Sequence, residues 1–224
     1  MTAPQTPLTP QGALERLLAG HQRYLEGRMA HPHQDARWRA SLTREQHPFA
    51  AVLGCADSRV PPQIIFDQGL GDLFTNRVAG NIVDDAILAS LTYGVSVLGV
   101  PLIVVLGHTG CGAVAAAAAA LEEGGADPSL TPLVRALEPA LRRAARRCDT
   151  AEGGTGCTLK GAVRENVEAS VRLIAAHPPL KARIAQRTLA VVGAVYDLET
   201  GGLELLPTPL LPSAPAHGPL LERL

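Results

Sequence analysis

The sequence has few aromatic residues, few cysteines and almost no net charge. Aromatic residues make up 3% of the chain, cysteines number 4, and 20 basic against 21 acidic residues leave a formal net charge of −1. A nucleic acid or an anionic membrane selects an excess of positive charge, so the charge balance argues against both as partners. Apolar runs are interrupted well short of the about 20 residues that a membrane span requires.

The N-terminus lacks the features of a secretory signal peptide. Its first ten residues contain three prolines and no apolar run, so we expect a cytoplasmic protein whose thiols are reduced. The cysteines are then metal ligands, nucleophiles or ordinary reduced core residues rather than disulfides. They are Cys55, Cys111, Cys148 and Cys157.

The 224 residues, 46% of them hydrophobic, are enough for one substantial core. We predict a flexible Pro-rich N-terminus over residues 1–10, a single catalytic domain over 11–207, and an extended Pro-rich tail over 208–224.

Short, continuous apolar runs predict strands that are buried on both faces of a parallel sheet. They are Phe49–Gly54, Leu73–Val78, Leu102–Gly107 and Leu189–Val195. Helical patterns separate them at 83–98, 113–123 and 130–147, and in a stripe formed by Val163, Val167, Val171 and Ile174. An amphipathic helix over 11–27 precedes the strands, and a hairpin turning at Gly201–Gly202 follows them. The alternation predicts an α/β fold, with a mostly parallel central β-sheet flanked by helices and an N-terminal helical arm.

Residues that can bind a metal or react chemically follow two of the predicted strands. Cys55, Asp57 and Arg59 follow the first strand, and His108 and Cys111 lie between the third strand and the next helix. The carboxyl ends of parallel strands converge on one crevice. Two thiolates and one imidazole suit tetrahedral zinc, and three protein ligands leave the fourth position for water, as in catalytic sites. Asp57, clamped by Arg59, is either the fourth ligand or a hydrogen-bond acceptor for the water.

Each segment alone allows other interpretations. A histidine and a cysteine one turn apart can simply pack in a core, and the glycines around them could form a phosphate loop, although the Lys-Ser/Thr ending of a P-loop is missing. Cys55 beside Arg59 could be an activated nucleophile. Together, the two segments are far more specific for a metal site.

The combination resembles the β-class carbonic anhydrases, which carry C-x-D-S-R at one strand end and H-x-x-C at another. The resemblance implies zinc bound by Cys55, His108 and Cys111. It also implies reversible hydration of CO2 to bicarbonate and a proton by zinc-bound hydroxide, which a catalytic dyad of Asp57 and Arg59 orients. It further implies a homodimer or a dimer of dimers, and we expect the N-terminal helix to pack on the dimer mate.

The resemblance also assigns a substrate pocket and a subclass. Gln46, Phe74 and Tyr93 match positions that contact substrate in one subclass. The other subclass has a noncatalytic bicarbonate site made of Trp, Arg and Tyr. Arg77 and Tyr196 match two of these, but Val52 replaces the tryptophan, and both matching residues can have structural roles instead. This favours the open form, in which water occupies the fourth zinc position. Asp57 would be a zinc ligand only in a closed state.

Two alternatives and one further role remain open at this point. The same zinc site could hydrolyse carbonyl sulfide or carbon disulfide, or the chain could be a non-catalytic structural zinc or binding module. His47 is a candidate proton shuttle because its ordinary pKa is near neutrality.

Overall fold

The structure is a computed structural model that describes residues 8–125, 127–148 and 154–207, with the side chains of 154–157 excluded. Most of the predicted N-terminal segment 1–10 and the whole predicted tail 208–224 therefore lie outside the described residues.

A five-stranded sheet forms the centre of the fold, in the order β2-β1-β3-β4-β5. The first four strands are parallel, and β5 pairs antiparallel with β4. The bounds are β1 Ala50–Gly54, β2 Leu73–Arg77, β3 Leu102–His108, β4 Ala190–Tyr196 and β5 Leu203–Leu205. The predicted α/β class, the mostly parallel sheet and the terminal hairpin are confirmed.

Burial explains why the central strands read as continuous apolar runs. Every residue of β1, β3 and β4 is buried, because each strand has neighbours on both sides and helices cover the faces of the sheet. β2 lies at an edge, and only Leu73 and Asn76 of its five residues are buried.

Eight helices surround the sheet in the described part of the chain. They are α1 Pro10–Leu25, α2 Ala36–Ser41, α3 Pro62–Ile65, α4 Asp85–Ser96, α5 Gly112–Glu122, α6 Thr131–Cys148, α7 Gly154–Ala176 and α8 Pro178–Ala185. Short 3₁₀ turns span Ala79–Asn81 and Pro128–Leu130. None of the described helices is long and apolar enough to cross a membrane.

The N-terminal helix α1 packs on its own chain. The Thr9 side chain accepts a hydrogen bond from the N–H of Gly12 and caps the helix, which begins at Pro10. Ala13, Leu14 and Leu17 are at most 4% exposed and belong to the main core. This part of the apolar face therefore packs within the protomer, and the contact of the helix with a dimer mate stays a prediction.

Cys148 departs from the expectation of an ordinary reduced thiol, because it is disulfide-bonded in the structure. Spacing alone did not indicate this bond, because a lone cysteine near the end of a helix does not reveal its partner. The expectation for the side chain of Cys157 lies outside the described residues. Cys55 and Cys111 are free and buried.

Candidate metal centre

Three buried side chains converge at the carboxyl ends of the neighbouring strands β1 and β3. Cys55 directly follows β1, His108 is the last residue of β3, and Cys111 precedes the first residue of α5. Their potential ligand atoms all lie within 4.8 Å of one another, and the two sulfur atoms are 3.9 Å apart. Parallel pairing of β1 with β3 creates this convergence, since it places both strand ends at one edge of the sheet.

Backbone donors surround the Cys55 sulfur. The N–H groups of Asp57 and Gly80 lie 3.4 and 3.3 Å from Cys55 Sγ. Together with the adjacent Cys111, which has the largest effect, and His108, they lower the pKa of the Cys55 thiol. The pKa of Cys111 is raised by the neighbouring Cys55 sulfur and by burial. The two thiols therefore titrate as one coupled pair.

The His108 ring presents one nitrogen to the two sulfurs. Its Nδ1–H donates to the carbonyl of Thr109 at 2.9 Å, so Nε2 keeps its lone pair. Nε2 is buried and has no hydrogen-bond partner among the described residues. Burial lowers the pKa of His108, but the nearby Cys55 sulfur and the other polar neighbours raise it further, so that the net shift is upward.

This donor set fits zinc. Two sulfurs and one imidazole nitrogen match the ligands and the softness that zinc prefers. Without a metal, the buried Nε2 would lack a partner, and a buried polar atom without a partner costs roughly 1–3 kcal/mol. A cation between the three atoms satisfies the imidazole lone pair and compensates the sulfur charge.

Asp57 and Arg59 form a fork-shaped pair at the rim of this centre. Arg59 Nε donates to Asp57 Oδ1 at 2.9 Å, and a terminal guanidinium nitrogen donates to Oδ2 at 2.7 Å. The guanidinium also reaches the carbonyl of Gly110 at 3.2 Å. These hydrogen bonds hold the pKa of Asp57 well below its usual range. The carboxylate is 15% exposed, with Oδ2 lying 3.9 Å from His108 Nε2.

Arg77 and Tyr196 have structural partners. Arg77 donates to the carbonyls of Cys55 and Asp57, at 2.9 and 2.6 Å, and so supports the loop that carries both residues. The hydroxyl of Tyr196 pairs with that of Tyr24 at 2.7 Å, and Val52 is fully buried in β1. The contacts of Arg77 and Tyr196 agree with the structural roles that the sequence left open for them.

The predicted substrate-pocket residues lie on β2, on α4 and on the connection that precedes β1. Phe74 on β2 and Tyr93 on α4 form an aromatic pair with ring centroids 6.0 Å apart. Gln46 and His47 are exposed on the connection from α2 to β1. Within the described part of the chain, no hydrogen bond or ring contact joins these four residues to the candidate ligands.

Sequence reasoning missed two residues that support the centre. Gly80 donates its N–H to Cys55 Sγ, and Asn166 on α7 donates to the carbonyl of Gly80. A glycine with positive φ gives a weak signal at most, and a contact between residues 86 positions apart gives none.

Comparisons with known proteins agree on one family. The family model described as "Carbonic anhydrase" matches residues 50–203. "Carbonic anhydrase 2" of Mycobacterium tuberculosis is 42% identical over 193 residues, which cover 86% of this chain and 90% of that protein. The carbonic anhydrase of Mycolicibacterium smegmatis is 41% identical over 202 residues, covering 88% and 93%.

Solved structures give the same result. The Coccomyxa β-carbonic anhydrase aligns with a TM-score of 0.69 at 27% identity and covers 86% of both chains. Two β-carbonic anhydrases from Sordaria macrospora, described as tetrameric, supply a match with a TM-score of 0.68 at 28% identity, covering 86% of this chain and 96% of the matched chain.

Proposed function

The chain belongs to the β-carbonic anhydrase family, and from this premise we propose that it catalyses the reversible hydration of CO2 to bicarbonate and a proton, with zinc held by Cys55, His108 and Cys111. One observation carries the proposal. The Nε2 of His108 is buried and has no hydrogen-bond partner among the described residues, and the candidate ligand atoms of His108, Cys55 and Cys111 lie within 4.8 Å of one another. When bound, zinc supplies Lewis-acid activation of water for attack on CO2.

Asp57 acts as a fixed hydrogen-bond acceptor in this proposal. Its low pKa keeps it ionised at neutral pH, so it accepts and does not donate. Arg59 fixes the orientation of the carboxylate through two parallel hydrogen bonds. Oδ2 can then accept a hydrogen bond from the O–H of a reacting water or of bicarbonate. This bond excludes orientations of the water in which its oxygen lone pair points away from CO2.

The same contacts support the open form of the site. Both carboxylate oxygens of Asp57 are engaged by Arg59, and Asp57 is not part of the Cys55–His108–Cys111 ligand group. Ligation by Asp57 would compete with this pair. Zinc held by Cys55, His108 and Cys111 would therefore leave its fourth position to solvent, with Asp57 beside it.

Zinc content and CO2 hydration, measured together, test the proposal. We expect the wild type to carry zinc and to be active, Cys55→Ser to lose most of its metal, and Asp57→Ala to keep zinc while losing about 10²-fold or more in kcat. Bound zinc without CO2 hydration at any pH would instead indicate a structural zinc module. A parallel assay with carbonyl sulfide identifies the preferred substrate.

A further inference from the structure

Asn166 links helix α7 to the candidate metal centre. It is 6% exposed, and its Nδ2 donates to the carbonyl of Gly80 at 2.8 Å. Neither Asn166 nor Gly80 has a part in the proposed reaction. Buried side-chain amides in proteins are generally hydrogen-bonded. Its partner here is the residue whose N–H reaches a candidate zinc ligand.

Gly80 faces both groups through its backbone. Its N–H lies 3.3 Å from Cys55 Sγ, while its carbonyl accepts from Asn166. Gly80 adopts φ 66° and ψ 16°, and the next residue, Asn81, has φ 42°. Both residues lie in the left-handed region, which glycine and asparagine adopt more readily than other residues, so the chain turns sharply here.

Apolar neighbours enclose the turn without fixing its rotation. A Cβ added to Gly80 would lie 3.2 Å from Leu137 Cδ1 and 3.5 Å from Ala113 Cβ. These contacts limit the space around the turn but have no directional preference. Hydrogen bonds do have one. The N–H of Asn81 donates to the carbonyl of Val78 at 2.9 Å within the turn, and Asn166 donates to the Gly80 carbonyl of the same peptide plane from a distant helix. Asn166 thereby ties the turn that presents the Gly80 N–H to α7.

Close packing and ion pairs hold helix α7 in place on both sides of Asn166. A Cβ at Gly107 would lie 2.5 Å from Val167 Cγ2, so the absence of a side chain there lets α7 approach β3 directly. The neighbouring Glu165 is buried and forms ion pairs with Arg143 and Arg147 at 2.9 and 2.7 Å. Asn166 is therefore held between two anchored neighbours in the sequence.

We propose that Asn166 is a positioning residue that orients the Gly80 N–H toward the Cys55 sulfur and thereby strengthens metal binding at this centre. The inference rests on the proposed metal centre and adds a residue from a distant helix to it. A hydrogen bond to a thiolate stabilises the charged form that binds metal. Loss of a group that hydrogen-bonds a metal ligand typically weakens metal binding about 10- to 100-fold, and Asn166 acts through such a group, the Gly80 N–H.

The test compares zinc binding by the full-length wild type, Asn166→Leu and Asn166→Asp. Leucine has a similar size and no donor, and aspartate keeps the shape but cannot donate when ionised. Ser170→Ala is the matched control, because Ser170 is a buried polar residue one turn further along the same helix. Competition with a chromophoric chelator gives zinc affinity, and thermal melting of the zinc-free proteins monitors folding.

We expect zinc affinity to fall about 10- to 100-fold in both Asn166 variants and less than about threefold in Ser170→Ala. Cobalt-substituted protein adds a signature that loss of packing alone would not produce, namely a shift of the sulfur-to-cobalt absorption band in the Asn166 variants only. If Asn166→Leu does not fold, Asn166→Asp carries the same expectation.

Folded Asn166 variants with wild-type zinc affinity and unchanged cobalt bands would overturn the inference and leave the proposed function intact. The outcomes remain distinguishable because activity is not the readout. A wild type that binds zinc but does not hydrate CO2 would overturn the proposed function, whereas the role of Asn166 would still be decided by metal affinity.

Discussion

Asp57 is fixed more tightly than its position at the rim requires. Besides the two bonds from the guanidinium, the backbone N–H of Arg59 donates to Oδ1 at 2.9 Å, and Arg77 holds the Asp57 carbonyl. Together these contacts define the direction of a single carboxylate. The low pKa of Asp57 also removes it from the groups that titrate near neutrality.

The ionisation of the zinc-activated water should control the pH dependence of activity. In the proposed site, two thiolates and a neutral imidazole would cancel the charge of zinc, so the activated water should be less acidic than in three-histidine sites, where its pKa is about 7. We expect kcat for hydration to rise sigmoidally on the alkaline side of neutrality, measured by stopped-flow with a pH indicator. A rate that is flat from about pH 6 to 9 would contradict this assignment.

Sequence reasoning located residues whose roles depend on short spacing. Cys55, Asp57 and Arg59 are close because they alternate along one short segment after a strand, and His108 joins them because parallel strands end together. Gly80 and Asn166 could not be found in this way. Their contact depends on how far α7 approaches the sheet, which is a property of the packed core.

At the scale of elements, the approach of α7 to β3 depends on Gly107. We expect Gly107→Ala to lower the free energy of unfolding by about 1–3 kcal/mol, because its Cβ would lie 2.5 Å from Val167 Cγ2 and force the helix outward. Urea denaturation measures the effect. Gly54→Ala is the control, since a Cβ there would be 3.7 Å from Pro62 Cγ, an ordinary contact. Equal stability of the two variants would be inconsistent with close packing of α7.

The contact between α1 and α3 should depend on pH through His21. This histidine is buried, and its Nδ1 bonds the carbonyl of Ile65 at 3.0 Å. Burial, partly offset by that bond, lowers the pKa of His21. The unfolded chain therefore takes up a proton first as the pH falls below about 6.5, and the stabilisation present above this pH is lost.

Matched unfolding curves can isolate the contribution of His21. We expect the free energy of unfolding to fall less between about pH 7.5 and 5.5 in His21→Gln than in the wild type, because glutamine can still donate to Ile65 but does not titrate. An identical pH dependence in both proteins would mean that His21 does not control the stability of this contact.

The elements themselves were predictable to different degrees. Buried strands and long helices contain many apolar positions, so their hydrophobic patterns can be recognised even where single residues depart from them. The short helices α3 and α8 were missed, since each begins with prolines that read as loop signals. The packing of Ala13, Leu14 and Leu17 in α1 against the core of their own chain was not predicted, because an apolar stripe does not specify which surface covers it.

For the whole molecule, we expect the self-association that the family resemblance implies, and exposed apolar side chains would supply its contact surface. Helix α2 has no buried residue, and several large apolar side chains are 47–65% exposed, namely Ile64, Leu70, Tyr93 and Val97. We expect light scattering after size-exclusion chromatography to give at least twice the 23.4 kDa of one chain. A fully active species at the monomer mass would contradict the proposed homo-oligomer.

The order of the strands could not be predicted from sequence, because β1 lies between β2 and β3 and each pairing joins distant segments. That order nevertheless generates the centre, since it makes β1 and β3 neighbours. The pairing of β1 with β3 therefore brings the three candidate ligands together.

X-ray absorption at the zinc edge of the purified protein tests the central claim most directly, because it counts the atoms bound to the metal. We expect about one zinc per chain, bound by two sulfurs, one imidazole nitrogen and one further light atom. A protein that binds no zinc, or binds it without sulfur, would contradict the assignment of Cys55, His108 and Cys111 as its ligands.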